Sequence, residues 1–468
     1  MSKPRQVLGT FTLSMISVAA IVSLKNLPFA AEYGFGAIFL YFVAAILFFV
    51  PTAFVAAELA TGWPASGGIY IWVKAGFGNR IGFLAIWLQW VQNIVWYPGV
   101  LSFTAGAIAY IVNPQLIHNK YYVLSVVLVT YWAMTFVNFF GMRISGFISS
   151  FGAIVGTLIP GALIIILAAI WPFSGHHVQI AFNWHTALPD MTQFKNIVFF
   201  VGVVLALSGM ELSAVHASEV KNPQRAYPRA IFLAAIIIIL ISSLGTLAIA
   251  MVVPASQISL VAGVMQAFKS FFIAYHMAFL IPWIAGALTI GAIAMIATWI
   301  IGPSKGLLAS AHEGDIPSYL QKQNKHDVPV RLLVLQGILS SCVALIFLLM
   351  PSVNASFWVI TDVSTQIYML MYLLMFAAAI YLRYKKPDQP RAYRVPFGNL
   401  GMWIISGLGF LGSLFVLVIG FIPPAQIHTG DIVYYEGFMI LGMVVLIAFP
   451  LIAFSFRNPA WTNKSITP

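Results

Sequence analysis

The chain has 468 residues, 61% of them hydrophobic and only 7% charged, with a mean hydropathy of +0.95. Soluble domains carry about 25% charged residues, so a soluble fold is excluded and an all-α, polytopic membrane protein is expected. The formal charge of +11 is topological rather than a nucleic-acid footprint, and a single cysteine, Cys342, excludes an intrachain disulfide and a cysteine-rich metal site.

Apolar runs long enough to cross a hydrocarbon core of ~30 Å recur along nearly the whole chain. Twelve spans are expected, over roughly 8–31, 36–60, 81–112, 122–141, 146–172, 195–218, 229–254, 277–303, 332–350, 355–382, 400–422 and 434–456. "MSKPRQ" carries the charges of a signal peptide. The apolar stretch behind it runs past signal length without a small-residue cleavage site, so a first span is expected there. With the N-terminus inside, nearly all of the 23 lysines and arginines fall at inner span ends, and only Lys120, Lys195 and Lys269 fall outside. That positive-inside bias predicts a multi-pass protein of the cell inner (plasma) membrane with both termini cytoplasmic. No polar segment is long enough for a soluble domain, so residues 1–468 are expected to form one polytopic unit in a lipid bilayer.

In span 1, "IVSLKNLPFAAEYG" places Ser23, Lys25 and Asn26 ahead of Pro28. A charge at mid-bilayer costs about 2.5–3.5 kcal/mol on insertion scales, which makes a buried one a functional candidate. Pro28 also leaves the carbonyl of residue 24 without its helical donor. The cluster reads as the lip of a polar cavity, with snorkelling of Lys25 to the outer interface as the competing reading. Glu58, at the inner end of span 2, is expected to snorkel or to bond a loop. Pro64 and Gly67–Gly68 then let the backbone turn sharply on the inner face. In the outer loop, His176 and His177 are adjacent and lack the i,i+4 spacing of a helical metal pair, so no metal site is expected.

Span 6 carries Glu211 directly after Ser208–Gly209, a natural place for a helix to unwind. A carboxylate beside such a break can take a proton. "GPSKG" at 302–306 is expected to break the end of span 8. Asp362 in span 10, near Thr361, Ser364 and Gln366, fits a functional and a hydrogen-bonding role equally. Tyr368 and Tyr372 stand one turn apart and share a helix face. There is no HExxH zinc motif and no cluster of acids and histidines, so neither an enzyme nor a cofactor is expected. A channel would show a charge-ringed pore rather than isolated ionisable groups at breaks.

Three segments, "SGMELSAVHASEVKNPQRAYP" (208–228), "VPASQISLVAGVMQ" (253–266) and "ATWIIGPSKG" (297–306), resemble the amino acid–polyamine–organocation superfamily, above all its bacterial glutamate:γ-aminobutyrate antiporters. The resemblance covers about residues 7–457. It implies a LeuT-like fold of five spans and five inverted spans, over 7–172 and 194–383, with two further spans over 399–457. Spans 1 and 6 would be discontinuous, as where transporters hold substrate at half-helix ends. The substrate positions implied are Ile21, Val22, Ser23 and Lys25 on span 1, and Leu205, Ala206, Ser208 and Gly209 on span 6. Trp299 on span 8 and Tyr368 and Tyr372 on span 10 complete the set, with Glu211 and Lys25 in proton coupling or gating.

The sequence departs from its relatives at three positions. Lys25 stands where the antiporters have an aromatic, and Met295 where they have a carboxylate. Ser150 stands where some relatives have an intramembrane lysine. The site is therefore more positive than theirs. The function implied is secondary transport by alternating access, exchanging an acidic or zwitterionic, glutamate/γ-aminobutyrate-like amino acid for a related amine. Proton-coupled uptake is the alternative.

Overall fold

The computed structural model describes residues 9–64, 67–141, 148, 150–213, 222–428 and 430–463. The middle of the 208–228 motif, and Ala65 and Ser66 of the inner turn, lie outside these. Every regular element among the described residues is helical, as a chain in hydrocarbon requires when each backbone amide and carbonyl must be satisfied internally.

The first apolar stretch forms two short helices, α1 (Thr10–Ile21) and α2 (Leu27–Ala31). After them come α3 (Gly34–Gly62), the short inner helix α4 (Ile69–Phe77), α5 (Asn79–Val112), α6 (Lys120–Asn138) and α7 (Ser150–Ser174). A second broken stretch gives α8 (Phe200–Ala206) and α9 (Met210–Ser213). The rest are α10 (Pro223–Val252), α11 (Gly263–Ala274), α12 (Ala278–Ala309), α13 (Val330–Leu349), α14 (Val353–Lys385), α15 (Gly398–Ile419) and α16 (Ile432–Ser455). Ten of these helices are long and apolar enough to cross a membrane. The two remaining stretches of the twelve expected, 8–31 and 195–218, are the broken ones.

The long, largely buried α5 is the centre of the bundle, packed between α12 and α14, while α1 packs against α10. Lipid tails are as apolar as leucine, so helices in a bilayer associate by close packing rather than by a hydrophobic drive. The α7–α12 seam works this way. Gly152 and Gly156, one turn apart, meet Ala294 and Gly291, and a Cβ on Gly291 would come within 2.6 Å of the Gly156 carbonyl. On the inner face Gly68 and Gly78 take positive φ, +48° and +87°, and supply the sharp turns on either side of α4.

Two expectations are corrected. The helix does not break at 302–306, because α12 runs through Pro303 to Ala309. Proline removes the donor for the carbonyl four residues earlier, here that of Trp299. The Tyr97 hydroxyl supplies a substitute bond to that oxygen at 2.8 Å, so the helix survives. The Leu24 carbonyl freed by Pro28 is likewise not left open, since a tight turn brings the Leu27 amide onto it.

Of the two readings for Glu58, the loop bond is present and snorkelling is not. The carboxylate is buried and accepts from Arg383 Nε and Nη2, both at 2.6 Å, and from the Val395 amide at 2.7 Å, with Arg391 Nε 3.4 Å away. This paired, fully hydrogen-bonded charge ties α3 to the end of α14 and to the loop before α15. Asp362 is also satisfied. Tyr435 donates to it at 2.6 Å and Gln366 at 3.3 Å, which joins α14 to α16.

Candidate substrate site

The two broken stretches face each other at mid-bundle. α1 stops at Ile21, Val22 and Ser23 are extended, and a tight turn over Leu24–Asn26 leads into α2. α8 stops at Ala206 and α9 begins at Met210. Between them Gly209 takes φ +114°, a conformation that side chains rarely adopt. The Gly209 amide donates to the Tyr372 hydroxyl at 3.0 Å, and the Ser208 hydroxyl folds back onto the Val204 carbonyl.

A cavity of about 30 Å³ lies between the breaks, α5, α12 and α14. Of the residues expected at the site, Ile21, Ser23, Leu205, Ser208, Trp299 and Tyr368 line it. Lys25 lines a smaller neighbouring cavity of about 10 Å³, and Ser23 and Met295 belong to both walls. Gly209 lies behind Trp299 and Ile21. Val22 and Ala206 are buried at the breaks without lining the cavity, and so is Tyr372, farther along α14. Room for roughly one or two waters is far short of an amino acid, so an amino acid would fit here only with the walls separated.

Lys25 is 2% exposed and does not reach the interface. Its Nζ donates to Asn26 Oδ1 at 2.8 Å and lies 5.4 Å from the Trp96 ring and 5.8 Å from that of Phe357. Among the described residues no carboxylate pairs with it. Aromatic faces attract a cation, more so when it is desolvated, but they leave the ammonium with donors to spare.

Glu211, 3% exposed, is held by neutral donors. Tyr368 donates to Oε1, Tyr372 to Oε2 at 2.5 Å, and Gln89 Nε2 to Oε1 at 3.3 Å. The two tyrosines, expected as substrate ligands, direct their hydroxyls at this carboxylate, and Tyr368 also lines the cavity. Tyr372 accepts from one side of the span-6 break while donating to the other, and so fixes its shape.

A family model for amino acid permeases matches residues 8–448. The chain belongs to the amino acid permease family. It is 33% identical over 457 residues to the glutamate/γ-aminobutyrate antiporter of Lactococcus lactis, covering 96% of this chain and 91% of that one. It is 46% identical over 451 residues to an uncharacterized transporter of Legionella pneumophila, covering 96% and 97%. Membership places the chain among the amino acid–polyamine–organocation transporters and fits the helical, apolar architecture.

In this permease the cavity also contains residues that the sequence reading passed over. Gln89, Gln92, Asn93 and Trp96 form one face of α5, at i, i+3, i+4 and i+7, and all but Gln89 line the cavity. Their spacing was visible, but neutral amides carry no charge to single them out.

Tyr372→Phe removes a hydroxyl that serves both Gly209 and Glu211. An orphaned buried polar group costs about 1–3 kcal/mol. Initial uptake into proteoliposomes, normalised to inserted protein, should fall roughly tenfold or more. Uptake equal to wild type would mean that the break does not depend on this tyrosine.

Proposed function

We propose that this permease is a secondary transporter working by alternating access, which exchanges an acidic or zwitterionic, glutamate/γ-aminobutyrate-like amino acid for a related amine. The observation that carries this reading is the pair of isolated buried charges on facing breaks, Lys25 on one and Glu211 on the other, with a closed cavity between. A substrate carboxylate directed at Lys25 Nζ meets an ammonium that has no counter-ion among the described residues. A relative named for glutamate/γ-aminobutyrate antiport supports the substrate class.

The architecture behind this is two inverted five-span repeats, 7–172 and 194–383, followed by two spans over 399–457. In its support, the breaks fall at corresponding distances from the start of each repeat. The broken stretches bring the crossings to twelve, with both termini on the cytoplasmic side of the plasma membrane. Single cysteines at His176 and Lys325 in a Cys342→Ala background test the orientation. An impermeant thiol reagent on intact cells should label the first position and not the second, and the reverse pattern would sink the topology.

Exchange has its own test. Proteoliposomes loaded with γ-aminobutyrate should take up labelled glutamate several-fold faster than empty ones, while equal uptake by both would remove the exchange mode.

Proton-coupled uptake is the second reading, favoured by Glu211, a buried carboxylate without a cationic partner among the described residues. Glu211→Gln keeps the shape of this group and abolishes its titration. Transport by this variant should lose most of its dependence on pH while retaining some exchange. An unchanged pH profile returns Glu211 to a purely structural role.

A further inference from the structure

Two buried acceptors in the cavity wall have no partner among the described residues. Gln92 is 2% exposed and Asn93 fully buried, yet among the described residues Gln92 Oε1 and Asn93 Oδ1 accept no hydrogen bond. The other end of each amide is occupied. Asn93 Nδ2 donates to the Gln89 carbonyl at 2.8 Å, and a carbonyl only accepts, so the oxygen of Asn93 must be the free end. Gln92 Nε2 donates to the Ser364 hydroxyl at 2.9 Å, and that hydroxyl turns its own proton to the Gln92 carbonyl at 3.4 Å. Both amides are therefore oriented by their nitrogen ends, and both residues line the same cavity. Leaving such acceptors desolvated is costly.

The charges around the cavity give these acceptors a purpose. Gln89, one turn before Asn93, touches Glu211, and Trp96, one turn after Gln92, lies under Lys25. Seven residues of α-helix span about 10 Å, so the face of α5 that borders the cavity runs from Gln89, beside a buried carboxylate, to Trp96, beside a buried ammonium. A substrate ammonium is repelled from the Lys25 end and drawn toward the Glu211 end.

We propose that Gln92 Oε1 and Asn93 Oδ1 form an ammonium subsite, which with Lys25 at the opposite end selects linear substrates carrying a carboxylate and a separated ammonium. The proposal rests on the transport reading above and deepens it, by assigning the discriminating contacts to neutral amides of α5.

The test compares γ-aminobutyrate with butyrate, which shares its carboxylate and carbon chain but lacks the ammonium. Affinities come from ligand-induced thermal stabilisation of the full-length purified protein. The wild type should prefer γ-aminobutyrate. In Asn93→Leu and Gln92→Met, each lacking one amide acceptor, that preference should fall about tenfold or more, with butyrate binding little changed. Gln92→Glu keeps an oxygen at the site and adds charge, so it should preserve or raise the preference. It also carries the test if a truncated variant fails to fold.

A preference unchanged in Asn93→Leu and Gln92→Met would overturn the subsite and leave the acceptors to bound water, with the transport reading intact. So would a Gln92→Glu protein that loses the preference. A wild type stabilised by no amino acid would overturn the transport reading, and the subsite with it.

Discussion

The ammonium of Lys25 is buried at mid-bundle with no carboxylate beside it among the described residues, and the site is organised around that fact. Continuous helix would leave the side chain among apolar neighbours. The extended Val22 and Ser23 and the turn at Leu24–Asn26 instead bring up one amide oxygen, two aromatic faces and a cavity. Glu211 stands at the other break and is held by tyrosine and glutamine donors rather than by Lys25. Had the two charges paired, the mutual attraction would have closed the space between them. Kept apart, they leave a polarised cavity whose ends differ in sign.

The other buried charges make the contrast plain. Glu58 has two arginines and a backbone amide, and Asp362 has a tyrosine and a glutamine. Each is satisfied within the fold, and each joins helices. A buried charge with its full set of partners is part of the scaffold, because nothing is left for a ligand to supply. Lys25 and the amides of Gln92 and Asn93 differ, since they keep donors or acceptors in reserve at one cavity. Alternating access fits such an arrangement. A site that is costly when closed and empty gains from a substrate that completes its hydrogen bonds.

Much of this was legible in the sequence. Apolar runs set the spans, Ser208–Gly209 marked one break, and the family resemblance implied the other at Ile21–Ser23. Lys25 and Glu211 stood out as charges at membrane depth. What escaped was whatever depends on partners distant in sequence. Glu58 and Arg383 are 325 positions apart, so an ion pair could not be told from a snorkelling acid. Pro303 looked like a break because Tyr97, which rescues the Trp299 carbonyl, lies on another helix 202 residues away. The tyrosines of α14 were placed on the right face, but their hydroxyls serve Glu211. The amide face of α5 was spelled out at i, i+3 and i+4, but only its position at the centre of the bundle shows that it borders a cavity.

The central claim is that Lys25 is the carboxylate-binding end of the substrate cavity. Its most direct test is the affinity of Lys25→Met for glutamate, set beside that of wild type in the same proteoliposomes. Removing one member of a buried charged pair costs about 3–5 kcal/mol, which is over a hundredfold in affinity. Lys25→Met should thus insert normally but lose glutamate transport. Lys25→Arg should restore it poorly, because the planar guanidinium is no substitute for a compact ammonium. Glutamate transport by Lys25→Met at near wild-type affinity would contradict the account.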